Sequence, residues 1–161
     1  MNHEQAVRHL RRANAVAQRA AAMGRHPFGA LLVAPDGETV LAEQGNIDTV
    51  HHAEATLART VSLNYPRETL WDCTLVTTFE PCAMCTGTIY WAHIGHIVYG
   101  ASEESLLALT GNAEENPTLN LPCRQVIASG QKPIRVQGPF AELEAELVAP
   151  HTGFWQQHPS T

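Results

Sequence analysis

Four side chains carry the chemistry that can be read from this sequence: His52 and Glu54, with one residue between them, and Cys82 and Cys85, with two. Two thiolates and an imidazole form a donor set that borderline-soft zinc takes readily. Three protein ligands leave the fourth position open, as a catalytic rather than a structural site requires. Cys82 and Cys85, three residues apart on the first turn of a helix, point their sulfurs to one side, where the helix N-terminus favours thiolate charge. Glu54, at another helix start, lies beside the His52 ligand without sharing its direction. A carboxylate so placed can take a proton from an activated water and hand it to a leaving amine. The chemistry is therefore hydrolytic removal of an amino group, with a carbonyl compound and ammonia as products.

Simpler readings exist for each residue. An isolated C-x-x-C pair also serves structural zinc or thiol redox chemistry. No second C-x-x-C follows, and a redox pair leaves the His52-Ala53-Glu54 spacing unexplained. A zinc-stabilised binding module is the non-enzymatic alternative, which predicts normal folding and no ammonia release. His51 lacks the relation of His52 to a carboxylate, and His93 and His96 read as satisfied or exposed histidines. Cys73, in an apolar run, and Cys123, after Pro122, read as small buried hydrophobes.

These residues need elements to position them. Ala6, Val7, Leu10, Ala13, Val16, Ala17 and Ala20 recur at helical intervals and predict a helix over Glu4–Met23, stopped by Gly24. Phe28–Val33 and Thr39–Ala42 read as strands joined through the turn Pro35-Asp36-Gly37. His52–Leu63 predicts a helix ended before Pro66, and Cys73–Thr78 a buried strand. Helices over Ala83–His93 and Glu103–Leu109, strands over His96–Tyr99 and Ile134–Val136, and a Glu-rich helix over Phe140–Val148 complete the pattern. A hairpin followed by alternating helices and strands argues for a mixed sheet covered by helices on both faces. Asn112–Pro122 is the longest expected loop.

The 161 residues, 44% hydrophobic, suit one domain, and no repeat or linker divides them. Ten Lys and Arg against sixteen Asp and Glu give a net charge of −6, which opposes charge-driven contact with nucleic acid and favours a small-molecule substrate. No apolar run approaches the roughly twenty residues that span a bilayer, and the Arg-bearing N-terminal stretch is no signal peptide. A soluble, cytoplasmic protein is expected.

His52-x-Glu54 followed by Pro81-Cys82-x-x-Cys85 is the signature of zinc nucleobase deaminases. With Pro27-Phe28-Gly29-Ala30, Gly45-Asn46, Phe79-Glu80 and Ile94 to Gly100, the chain resembles the cytidine deaminase-like superfamily over most of its length. Pro27-Phe28-Gly29-Ala30 and Ile89-Tyr90-Trp91-Ala92 look most like the bacterial guanine deaminase branch. The resemblance implies a three-layer α/β/α sandwich around a mixed five-stranded sheet, a zinc cofactor, a homodimer and a purine-sized heterocyclic substrate. It further implies that Asn46 binds the polar edge of the substrate, that Phe28 and Trp91 wall the pocket, and that amides near Ala53 and Cys82 complete it. Phe154 and Trp155, in a tail over 149–161, would close the pocket. The acidic loop of guanine deaminases has no clear counterpart here, Glu114 and Glu115 being the candidate substitutes. Guanine is the preferred substrate on this basis. Cytosine, cytidine, guanosine and amino-triazines stay open as alternatives, and so does adenosine in tRNA, which Gly100-Ala101-Ser102 also suggests and which the charge opposes.

Overall fold

The computed structural model describes residues 1–111 and 113–157; Asn112, the first residue of the expected loop, and the end of the expected tail lie outside them. Helix α1 (His3–Ala22) opens with a capping box, in which Asn2 and Gln5 exchange side-chain and backbone hydrogen bonds, and Gly24 follows its end at φ +76°. Strands β1 (Gly29–Val33) and β2 (Val40–Gly45) form the expected hairpin; Asp36 accepts from the amides of Glu38 and Thr39, and Gly37 takes φ +75°. Helices α2 (Ala53–Asn64) and α3 (Arg67–Trp71) lead to β3 (Thr74–Phe79), α4 (Ala83–Trp91) to β4 (His96–Ala101), and α5 (Glu103–Thr110) and α6 (Cys123–Ala128) to β5 (Arg135–Gln137). Two short helices, α7 (Glu144–Val148) and α8 (Phe154–Gln157), finish the described chain.

The sheet order is β2-β1-β3-β4-β5, with β1 antiparallel to β2 and β3, and β3, β4 and β5 parallel. Successive strand residues face opposite sides, so the sheet has two cores. Leu31, Val33, Val76 and Val98 pack with Leu10 of α1, Leu106 of α5 and Leu147 of α7. Ala30, Leu32, Leu75 and Ile97 pack on the other side with Leu57 of α2, Ile89 of α4 and Ile127 of α6. This is the three-layer α/β/α arrangement with a mixed five-stranded sheet. Gly29 sits where β1 passes closest to α1: a Cβ there would collide with the Ala13 carbonyl and the Ala17 nitrogen.

Two expectations need correcting. Phe140–Val148 is not one helix. The Phe140 amide donates to the Gly100 carbonyl (2.8 Å), which ties the segment to β4, and a 3₁₀ turn over Ala141–Leu143 intervenes before α7. The short helices α3 and α6 were not expected; at five and six residues they carry too little periodicity to read. No helix among the described residues is long and apolar enough to cross a membrane.

Candidate active site

The N-termini of α2 and α4 converge beyond the C-terminal end of β3, where open α/β sheets bind ligands. His52 is the N-cap of α2 and Cys82 the N-cap of α4, and neither side chain caps its own helix, so both are free to ligate. Cys85 follows one turn on and is fully buried. Cys82 Sγ and Cys85 Sγ lie 3.6 and 3.5 Å from His52 Nδ1. On a tetrahedral zinc, sulfur at about 2.3 Å and nitrogen at about 2.1 Å stand roughly 3.6 Å apart, so the three side chains already hold the ligand spacing. His52 Nε2 sits 3.1 Å from the Thr49 carbonyl, a contact that fixes the tautomer with the Nδ1 lone pair facing the sulfurs.

A divalent ion would change the protonation of this cluster. Hydrogen bonding to Cys85 pulls the Cys82 thiol down to about 4, hydrogen bonding to Cys82 and burial push Cys85 well up, and the bond to Cys82 lifts His52 to about 9. The cluster by itself therefore sustains one thiolate. A divalent ion lets both sulfurs ionise and leaves the imidazole neutral, which is the donor set of zinc.

Glu54, on the first turn of α2, is buried at 6% exposure. Burial and then the Cys82 charge hold its carboxyl above the usual carboxylate range. The Thr77 hydroxyl donates to Oε1 at 2.9 Å and Cys85 Sγ lies 3.7 Å from Oε2. A carboxyl anchored beside the ligand cluster, with its proton affinity raised, suits proton transfer near neutral pH.

The cluster floors a cavity of about 450 Å³. Phe28, Asn46, Glu114 and Glu115 are among the residues that line it. Asn46 is held by its Nδ2 donating to the Asp48 carbonyl (3.0 Å), which leaves the amide oxygen to offer a ligand. Phe28 is fixed by edge-to-face contacts with Phe79 (5.8 Å) and His151 (5.1 Å). His51 turns away to Asp48, and Cys73 and Cys123 are buried thiols that burial raises to about 11 and about 12.

Other expected wall residues lie elsewhere. Trp91 is 78% exposed at the end of α4, with Lys132 over its ring, and lines a separate surface groove with Arg59 and Ser62. The correction has a simple cause: helical rotation over Ala83–Trp91 points the last residue away from the ligands on the first turn. The Ala53 side chain is buried in the core under α2, while the role expected of this residue belongs to its backbone amide on the first turn of that helix. Phe154 and Trp155 are buried but are not among the lining residues. Trp155 donates to His151 Nδ1 (3.3 Å) and packs on His26 and Phe28 of the same chain, so this part of the tail backs Phe28 from behind.

Two acidic lining residues escaped the sequence reading as functional candidates, Glu80 and Glu103. Glu80 accepts from the amides of Glu103 (3.1 Å) and Cys123 (2.8 Å), and so pins the starts of α5 and α6 to the end of β3. The adjacent Pro81-Cys82 motif drew attention to the ligand and not to the acid before it. The Glu103-Glu104 pair read as ordinary helix-start charge.

Residues 3–101 match the family model for the cytidine and deoxycytidylate deaminase zinc-binding region. A probable cytosine deaminase of Schizosaccharomyces pombe is 37% identical over 156 residues, 94% of this chain and 93% of the relative. The guanine deaminase of Bacillus subtilis is 40% identical over 79 residues, 47% of this chain and 50% of the relative. The solved guanine deaminase from Nitrosomonas europaea superposes with a TM-score of 0.67 at 19% identity, covering 91% of this chain and 82% of the other. The chain belongs to the cytidine and deoxycytidylate deaminase zinc-binding family, a zinc enzyme whose reaction is hydrolytic C–N deamination of a nucleobase-type substrate.

Proposed function

We propose that this enzyme deaminates a free, uncharged nucleobase, with guanine as the substrate and xanthine and ammonia as products. The observation that carries the reading is the composition of the cavity wall. Glu54, Glu80, Glu103, Glu114 and Glu115 line it, and no Lys or Arg is among its lining residues. Such a wall repels a phosphate and attracts the N–H-rich edge of an amino-bearing ring. It disfavours nucleotides and tRNA, in keeping with the net charge of −6. A cavity of about 450 Å³ lies in the range of small-molecule sites and admits a bicyclic base.

His52, Cys82 and Cys85 would hold the metal. Zinc bound there supplies the Lewis acidity that makes water nucleophilic near neutral pH. Glu54 takes the proton from the attacking water and delivers it to the departing amine. A C–O bond thus forms as the C–N bond breaks, and the proton leaves with ammonia. Asn46 orients the base through its amide oxygen, and Phe28 packs against the ring. Glu114 and Glu115 face the amino-bearing edge.

An ammonia-release screen of guanine, guanosine, cytosine, cytidine, adenine, adenosine and amino-triazines with zinc-loaded enzyme tests the assignment. Guanine should give the highest kcat/KM. Cytosine exceeding it would establish the second reading, which the near full-length similarity to a probable cytosine deaminase supports.

A further inference from the structure

Glu103 and Glu104 are neighbours at the start of α5, and only one of them behaves as helix-start acids usually do. Glu104 is exposed. Glu103 is turned inward at 3% exposure onto the cavity wall. Its Oε2 is buried with no hydrogen-bond partner among the described residues. A buried polar oxygen without a partner is costly, and protein sites keep such groups where a ligand supplies the partner. The orientation is built in. Glu80 holds the Glu103 backbone by accepting its amide at 3.1 Å, and the Ser102 hydroxyl caps the helix through the Ser105 amide at 3.1 Å, so the backbone that carries Glu103 is fixed at the start of α5.

The geometry points to Glu103 as a specificity-determining residue, whose carboxyl hydrogen-bonds a ring N–H of the base together with the acceptor atom next to it. The inference rests on the reading of the cavity as a site for a free base. The environment supports a neutral acid in this role. Burial, and then the charges of Cys82, Glu54 and Glu80, raise the Glu103 carboxyl to about 8, with His52 acting in the opposite direction. A protonated carboxyl offers one donor and one acceptor side by side, which matches a lactam or amidine edge and matches neither a phosphate nor an apolar substituent. None of the metal-binding or proton-transfer roles uses this group.

The test is a cycle between protein and ligand. Guanine, 1-methylguanine, 7-methylguanine and 9-methylguanine are compared on wild type, Glu103→Leu and Glu103→Gln at matched zinc content and with melting temperatures recorded. Glu103→Leu should lower kcat/KM for guanine about 100-fold while changing it less than about threefold for the methylated analogue that lacks the N–H being read. Glu103→Gln keeps a neutral donor and acceptor, and should stay within about tenfold of wild type on guanine. Equal losses on all four bases, or a Gln variant as poor as the Leu variant, would overturn the inference. Should Glu103→Leu fail to fold, the Gln variant still decides: it must preserve the wild-type ranking of the four bases. If wild type releases ammonia from cytosine and not from guanine, the guanine reading falls. The same cycle with cytosine and 1-methylcytosine then tests Glu103 independently.

Discussion

The two ends of the cavity are built on different principles. At the metal end, His52, Glu54, Cys82 and Cys85 all sit at the starts of two helices, so short-range spacing places them and two helix N-termini favour their negative charge. Elsewhere on the wall, Glu103, Phe28 and the segment that backs it are brought together from α5, the start of β1 and the C-terminal stretch, and each is held by partners far along the chain. On the proposed assignment, the metal end determines what reaction occurs and the wall which base undergoes it. Substitutions at the first should abolish turnover of every substrate alike, and substitutions at the second should change selectivity or stability.

The sharpest break of that contrast is Glu54→Gln. The amide keeps the size and the Thr77 contact but cannot shuttle a proton, so kcat should fall about 1,000-fold or more on any base while zinc content by plasma emission stays stoichiometric. Loss of zinc together with the fold would make Glu54 a structural residue instead, and the division between the two ends would no longer hold.

A smaller effect is expected behind the wall. His151 is 2% exposed among Phe28, Phe79 and Trp155, and burial, with a further contribution from the charge of His26, lowers its imidazole to about 4. Trp155 donates to Nδ1, so the imidazole is neutral in the fold and protonation removes the acceptor. The unfolded imidazole takes its proton near 6.5 and the folded one only near 4, so the unfolded chain binds more protons throughout that window. Stability should therefore fall as the pH drops from about 6.5 to about 4, by on the order of 3 kcal/mol from this residue. Urea unfolding of wild type and His151→Leu across that range measures it: the variant should lose most of the slope. Parallel pH profiles for the two proteins would show that the buried imidazole is not the titrating group.

The same division governs what could be read from the sequence. The four metal-end residues were legible because the roles proposed for them follow from intervals of two and three positions, which survive in a string of letters. The alternating strands were legible for the same reason, since Leu31 and Val33 against Ala30 and Leu32 sort to the two faces by period two alone. Glu103 was not, because which of two neighbouring helix-start acids turns inward depends on how α5 docks, and α5 is tied through the Glu103 amide to Glu80, 23 positions earlier. His151 was hidden likewise: a histidine in a tail carries no mark of burial until Phe28, Phe79 and Trp155 surround it. The 3₁₀ turn before α7 comes from the anchoring of Phe140 on Gly100, a tertiary contact no local propensity encodes.

Trp91 gives the smallest expected effect and the cleanest check on where the wall ends. Resemblance assigned it to the pocket, yet its ring is 78% exposed beside Lys132, on a groove separate from the cavity. Trp91→Ala removes a surface ring packed edge-on to Tyr90 and a cation–π contact of 5.6 Å to Lys132, interactions worth at most about 1 kcal/mol at an exposed site. Steady-state kinetics on the preferred base should give kcat and KM within about twofold of wild type, with unfolding stability lowered by less than about 1 kcal/mol. A rise in KM of tenfold or more would return Trp91 to the substrate's surroundings. The cavity wall would then have to include the outer end of α4, and the selectivity now attributed to α5 and the residues around Phe28 would be shared with it.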